Sequence, residues 1–600
     1  MRKFLFPYES IKKDSNIIIY GAGDVGKQFI VSLAKTQYCN VLCVLDKNYE
    51  EKTAFPVKVL PPEKIIDIDE NNYSIVLIAI NSIEMSKKIE QYLIELGVSE
   101  NKILSFDNSF VSLPFMKQEN ILYTDDRDKL FRLAIVSIGG LGDDLISSVL
   151  LKVFRKILIE RIVIDFYCTT PKLFYTMPFI NNVYNEKEYF EYNNSKYDAV
   201  MVGGNFWQLE KINLTKAKRF SQLLYDYFSD MIWHYNNVFN IEDSAANSKL
   251  LQYCHILGKD RWEQHNMHNI LPLNKFTKPY MDINPKSFKI LSNTELENKQ
   301  YITLCNSVHR LHPNSSKLWP NEYFNVLVKM LKQYYPNIIV VCIGDSTEQG
   351  AINYADMDLR GKTTFDEMVI LLKYSILHIG CEGGLIHLKK FLNGKSVCLF
   401  GPTSIKTYGY DENINIRSNS FPNCENGCEW ITKMWLAGIC LLDYKSKYAK
   451  CMESLNPEYV YARISEYISC LQLQTTFSEK ILNIVELSDL FTPNSEVALI
   501  KLAGEDTILQ YASKVKNFIV YEDKLCSYDG VTSEYGNIYN IPANDEQFDI
   551  VVNFTLAQEE NSHYALREML RVTKPDGAIV INGDNENSLK LLKKEVPSNE

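Results

Sequence analysis

Apolar residues in this chain gather into short continuous runs separated by longer amphipathic stretches. The first runs are Ile17-Ile18-Ile19-Tyr20, Val41 to Leu45 and Ile75 to Ile80; Leu133 to Ile138, Ile162 to Phe166 and Tyr197 to Val202 follow. Tyr301 to Leu304, Ile338 to Ile343, Val497 to Ile500 and Gln547 to Val552 complete the series. Runs with few polar interruptions predict strands buried on both faces, and helix-length segments between them predict parallel α/β sheets.

Polar stretches divide the series. Lys117 to Lys129 separates a first unit from a second, and Asn274 to Lys299, with its two prolines, reads as an interdomain link. The expected units are 1–115, 130–290, 298–471 and 478–600. A chain of 600 residues and 69.3 kDa is too long for one core, and about 150 residues per domain gives roughly the same number of units.

Composition narrows the class only a little. With 46% hydrophobic and 23% charged residues the chain matches ordinary folded domains, and no apolar run approaches the ~18 residues of a membrane span. Peripheral membrane association and homo-oligomerisation stay open. The basic start Met1-Arg2-Lys3 is broken at once by Pro7, so no secretory signal is expected. A net charge of -10 argues against nucleic acid as a partner. The 14 cysteines, many inside apolar runs, favour a reducing, cytoplasmic setting.

Three glycine turns carry candidate chemistry. In the first, Gly21-Ala22-Gly23-Asp24-Val25-Gly26 follows a strand, and Asp46 ends the next one. This is a dinucleotide fingerprint: the glycines admit a pyrophosphate to the helix N-terminus, and Asp46 accepts from a ribose hydroxyl. The alternative is that the glycines serve only helix–strand packing. The unit has no room for a catalytic half, so NAD-dependent redox chemistry is not expected.

The other two turns belong together. Gly139-Gly140-Leu141-Gly142-Asp143 follows the strand at Leu133; Glu382-Gly383-Gly384-Leu385-Ile386-His387 precedes Phe400-Gly401-Pro402-Thr403; and Lys317-Leu318-Trp319-Pro320 lies between them. With these motifs, the stretch from Arg132 to about Leu471 resembles glycosyltransferase family 9, the ADP-heptose:lipopolysaccharide heptosyltransferases and their protein-modifying relatives. The resemblance implies a GT-B fold, two Rossmann-like domains facing a cleft, with the acceptor bound by the first and the nucleotide sugar by the second.

It also implies roles. Sugar transfer needs a base for the acceptor hydroxyl and donors for the departing diphosphate. Asp143 is the candidate base, with Asp144 its rival and helix capping the alternative role. Lys317 is the candidate cation for the diphosphate, and without an Asp-x-Asp nearby the reaction is expected to need no metal. Gly383 and Gly384 would cradle phosphate at a helix start, with Gly401 and Thr403 beside them. His387 is placed with the donor-binding residues, as a core or hydrogen-bonding group rather than a catalytic one. Glu382 stands where the family carries Asp, which bears on the sugar recognised.

Cys424, Cys428, Cys440 and Cys451 form a cluster of the kind in which some relatives hold a structural metal, here zinc or iron. Trp319-Pro320 is expected to start a helix at Asn321.

The last unit resembles a class I S-adenosylmethionine methyltransferase. Its nucleotide turn, Leu502-Ala503-Gly504-Glu505-Asp506, keeps one glycine; Glu522 stands at the ribose acid and Asn537 at the adenine-contacting Asp. The chain also ends soon after Ile579-Val580-Ile581, so a degenerate, truncated module lacking the closing hairpin is expected. The expected whole is an inverting glycosyltransferase acting on a surface glycan or a protein. A catalytically silent scaffold of a glycan-synthesis complex and a bifunctional glycosyltransferase/methyltransferase are the alternatives.

Overall fold

The computed structural model describes residues 6–595 apart from 8–9, 13, 37, 53–54, 56, 81, 106–119, 125–127, 192–195, 204–206, 238–257, 267, 274–276, 293, 298, 309–314, 346–349, 421–426, 430–437, 439, 441, 444–445, 471–475, 484–489, 501–507, 527–529, 557–560 and 583–587. Its described strands form four sheets.

The first sheet is wholly parallel, in the spatial order Val59–Leu60, Asn40–Leu45, Asn16–Tyr20, Ile75–Ile78, Ile103–Ser105. Its central strand shows why the apolar run is continuous. Ile17 and Ile19 pack into one core cluster while Ile18 and Tyr20 pack into another on the opposite face.

The second sheet runs Ile121–Leu122, Trp207–Asn213, Ala199–Gly203, Phe131–Ser137, Ile162–Cys168, Asn182–Asn185. It is not all parallel as expected, because Trp207–Asn213 lies antiparallel to Ala199–Gly203. The apolar runs predict no strand there. Trp207, Leu209 and Ile212 are its buried apolar positions, and a bulge absorbs the break in their alternation. The third sheet, parallel throughout, runs Met357–Asp358, Ile339–Cys342, Tyr301–Cys305, Leu377–Cys381, Ser396–Phe400, Ile414–Arg417.

The fourth sheet corrects the expectation of a truncated unit. Its order is Thr476–Asn483, Ser588–Glu595, Thr573–Asn582, Phe548–Asn553, Glu496–Ile500, Asn517–Glu522, Thr532–Tyr535. Ser588–Glu595 pairs antiparallel with Thr573–Asn582, so the closing hairpin is present. An antiparallel return needs only a short connection, and the upstream strand Thr476–Asn483 covers the new edge from a start two residues before the expected boundary.

The stretch expected to be a polar link is packed. Tyr280, Met281, Ile283 and Phe288 are buried within a core cluster that continues through residues of all four units. No described helix is long and apolar enough to cross a membrane.

Candidate functional site

The site forms where two helix starts meet. Strand Phe131–Ser137 turns through Gly139 and Gly140 into helix Leu141–Leu158, and strand Leu377–Cys381 turns through Glu382 and Gly383 into helix Gly384–Phe391. The two starts interlock. A Cβ on Gly142 would lie 2.7 Å from the His387 ring, and one on Gly384 would lie 2.9 Å from the Leu141 Cβ. These glycines are small because another lobe occupies the space; whether they also cradle phosphate is a separate question.

Asp143 lies at this seam. One carboxylate oxygen accepts from the Gly140 amide at 2.9 Å, the capping role, and the other pairs with the buried Arg261 guanidinium. Arg261 was not anticipated, because it follows Gly258 on a loop far along the chain with no motif around it. Its guanidinium also donates to Gln264 at 3.2 Å, and its amide donates to the Thr407 carbonyl of the facing lobe at 2.9 Å. The rival Asp144 is fully buried and accepts from both Thr169 and Thr170 hydroxyls at 2.7 Å. Burial pushes its carboxyl up to about 6 against those hydroxyls, and it holds the turn after Ile162–Cys168 rather than the seam.

On the facing lobe the expected residues converge on one carboxylate. Glu382, buried, accepts from Lys317 Nζ and from the Thr403 hydroxyl at 2.9 Å, with His387 Nε2 3.7 Å away. Burial alone would raise its pKa, but Lys317 and His387 outweigh that and hold it well below the usual carboxylate range. Lys317 is thus not a lone cation but one already balanced by Glu382. Gly401 brings the pieces together, since a Cβ there would lie 2.9 Å from the carbonyl of Ser316, the residue before Lys317. Lys317 also sits 6.0 Å above the Tyr408 ring.

His387 Nδ1 lies 2.6 Å from the Tyr410 hydroxyl. Trp319 is buried, donates to the Leu455 carbonyl at 2.8 Å, and leads into helix Asn321–Tyr334. Glu429 was also missed. It accepts from the Ser404 amide at 2.8 Å beside the Thr403 turn, and burial pushes its carboxyl up to about 7.

Cys424 lies outside the described residues. Cys440 and Cys451 pack with Trp319 in an apolar cluster, while Cys428 is half-buried with its amide on the Pro402 carbonyl. Among the described residues no group of His, Cys, Asp and Glu is arranged to hold a metal.

The first glycine turn is closed on itself. Gly21 has φ +114°, and a Cβ there would lie 2.9 Å from the Ala79 carbonyl. Asp46, expected to face a ribose, accepts from the Ala22 amide at 2.7 Å and the Asn48 amide at 2.8 Å.

In the last unit the turn at 502–506 lies outside the described residues. The two remaining cofactor positions are bonded to neighbouring residues. Glu522 accepts from the Ser533 hydroxyl at 2.5 Å and the Cys526 amide at 3.3 Å; the Asn537 carbonyl accepts from the Tyr539 and Asn540 amides, and its NH2 donates to Asp282 at 3.0 Å.

Two α/β lobes meeting at the carboxyl ends of their strands, with a carboxylate on one and a lysine beside a glycine helix start on the other, define a GT-B glycosyltransferase arrangement. Residues 263–429 match the model of glycosyltransferase family 9 (heptosyltransferase). Residues 13–104 match a C2185-like N-terminal domain and residues 512–581 a methyltransferase domain.

Among solved structures, Escherichia coli ADP-heptose lipopolysaccharide heptosyltransferase II is 17% identical, with 57% of this chain and 100% of that chain covered at a TM-score of 0.36. The family 9 glycosyltransferase of Veillonella parvula is 14% identical over 58% and 99%, at 0.37. The dodecameric iron-containing heptosyltransferase TibC of enterotoxigenic E. coli is 15% identical over 59% and 78%, at 0.36. No curated protein matches.

Proposed function

We propose that this chain is an inverting glycosyltransferase that moves a sugar, heptose in the first instance, from a nucleotide-sugar donor to a surface glycan or protein acceptor in the cytoplasm. The family match over residues 263–429 supports the class, and one observation carries the site: Lys317, Glu382 and Thr403 converge next to a glycine helix start that abuts Leu141 and Gly142, in the turn that carries Asp143.

The chemistry follows from charge. The acceptor hydroxyl attacks the anomeric carbon as the bond to the diphosphate breaks, and Asp143 takes the hydroxyl proton. The negative charge gathering on the diphosphate is met by Lys317 and the first amides of helix Gly384–Phe391, work that a metal does in other transferases. Glu382 orients Lys317 and, in this reading, the donor sugar.

Calorimetry against ADP-, GDP-, UDP-, CDP- and dTDP-sugars tests the proposal. Binding of one donor, weakened in Lys317→Ala, is the expected result. Absence of any binding by the folded protein would overturn it in favour of the scaffold.

A further inference from the structure

The C-terminal unit grips the far ends of the two helices whose starts form the seam. In helix Leu141–Leu158, Lys152 and Lys156 both pair with Glu534, and Lys152 also donates to the Lys278 carbonyl at 2.9 Å. Just past helix Gly384–Phe391, Asn393 donates to Asn540 at 2.9 Å and to the Ile541 carbonyl at 3.0 Å. The Asn540 side chain in turn donates to the carbonyls of Phe391, at 3.1 Å, and Met281, at 3.0 Å. One short segment, Glu534 to Ile541, therefore touches the first lobe, the link and the second lobe.

That segment stands where a methyltransferase of this fold would hold adenosine. Its residues are spent otherwise: Asn537 is bonded to Asp282 of the link, and the Tyr535 ring lies 5.5 Å from Phe179 and 6.3 Å from Tyr280. Lys373 and Glu568, both nearly fully buried and 2.9 Å apart, tie the same segment to the second lobe: Lys373 also donates to Asn540 at 3.1 Å, and Glu568 accepts from the Ile541 amide at 2.9 Å. An α-helix rises ~1.5 Å per residue, so the grip on Lys152 lies roughly 16 Å along the helix from Leu141. Holding two rods at one end fixes how their other ends meet.

We propose that the C-terminal unit is a brace and not a methyltransferase: its adenosine-side segment has become the surface that locks the two lobes and their link in the orientation that closes the seam. The proposal does not depend on which sugar is transferred, or on transfer at all. Hydrogen exchange on the full chain reads it directly, comparing Asn540→Ala and Glu534→Gln with the parent, alongside calorimetry with S-adenosylmethionine at millimolar concentration.

The expected result is no heat of cofactor binding, together with a tenfold or greater loss of protection in seam peptides covering 139–147 and 383–391, in variants whose far-ultraviolet circular dichroism stays native. Glu534→Gln alters the first-lobe contact alone and so stands in if Asn540→Ala does not fold. Unchanged seam protection with exposed docking peptides would overturn the brace. Saturable S-adenosylmethionine binding would overturn the loss of the cofactor site.

Discussion

The second GT-B lobe and the C-terminal unit are built alike, as sheets with a parallel core whose polar residues sit at the carboxyl ends of strands, yet they use those residues differently. In the lobe, Glu382 and Thr403 leave adjacent strands and meet Lys317 next to a partner helix. In the C-terminal unit, Glu522 and Asn537 fold back on neighbouring amides and hydroxyls or reach into the link. Strand-end position makes a residue available for chemistry, and what packs across from it decides whether it stays available. A carboxylate facing a second lobe belongs to a site, while an amide facing the link belongs to a joint.

Substitutions can break this contrast from either side. The largest effect is expected from Asp143→Ala, which removes the proposed proton acceptor and should lower kcat by about 10²–10⁴-fold in a sugar-transfer assay while leaving the donor KM within a few-fold. An unchanged kcat would leave Asp143 only its structural roles, capping at Gly140 and pairing with Arg261. In the C-terminal unit Glu568→Ala should act on stability: its carboxylate holds Lys373 at 2.9 Å and Arg571 at 2.7 Å, all of them largely buried. Leaving Lys373 buried without its carboxylate, while Arg571 keeps Asp545 at 2.7 Å, should cost about 3–5 kcal/mol, read as a shift in denaturant midpoint.

Lys317→Ala comes next. It should weaken donor binding by roughly 10–100-fold, the scale of one or two charge-assisted hydrogen bonds. It also removes the main counter-charge of Glu382, whose folded pKa is depressed. A depressed carboxyl contributes stability above its unfolded pKa that is lost as pH falls through the folded one. The stability gap between variant and parent should therefore be widest at neutral pH and shrink in acid, and a gap constant with pH in thermal melts would count against the pairing.

How much of this was legible in the chain depended on whether a signal was local. Apolar runs such as Ile17 to Tyr20 announced the strands because both faces are buried, and the glycine turns announced the helix starts. Arg261 and Glu429 were not legible, since each acts by reaching a turn distant in sequence, and no spacing rule links Arg261 to Asp143. Strand Trp207–Asn213 was missed because its bulge breaks the period of two. The closing hairpin is not predicted because the few residues after Ile581 look too short for it, whereas an antiparallel return needs only a short connection. Asn537 stands out in the sequence as a departure from the cofactor pattern, but its partner Asp282 lies in a stretch whose polarity suggests a link.

The smallest effect comes from restoring the missing acid. Asn537→Asp puts a carboxylate where the methyltransferase pattern has one, and a lapsed but intact cofactor pocket would gain affinity for S-adenosylmethionine. The packing argues the opposite. The Asn537 NH2 donates to Asp282 at 3.0 Å, and burial already raises the Asp282 pKa despite hydrogen bonds that favour its charge. A second carboxylate there replaces a donor with a like charge, so the pair must share a proton. A raised folded pKa contributes stability at low pH that is lost as pH rises through it. The variant should therefore match the parent near pH 4 and fall behind by about 1–3 kcal/mol at pH 7, the usual cost of a buried group left without its partner. Equal stability at both pH values, or new cofactor binding, would mean that this segment is a vacant pocket and not a joint.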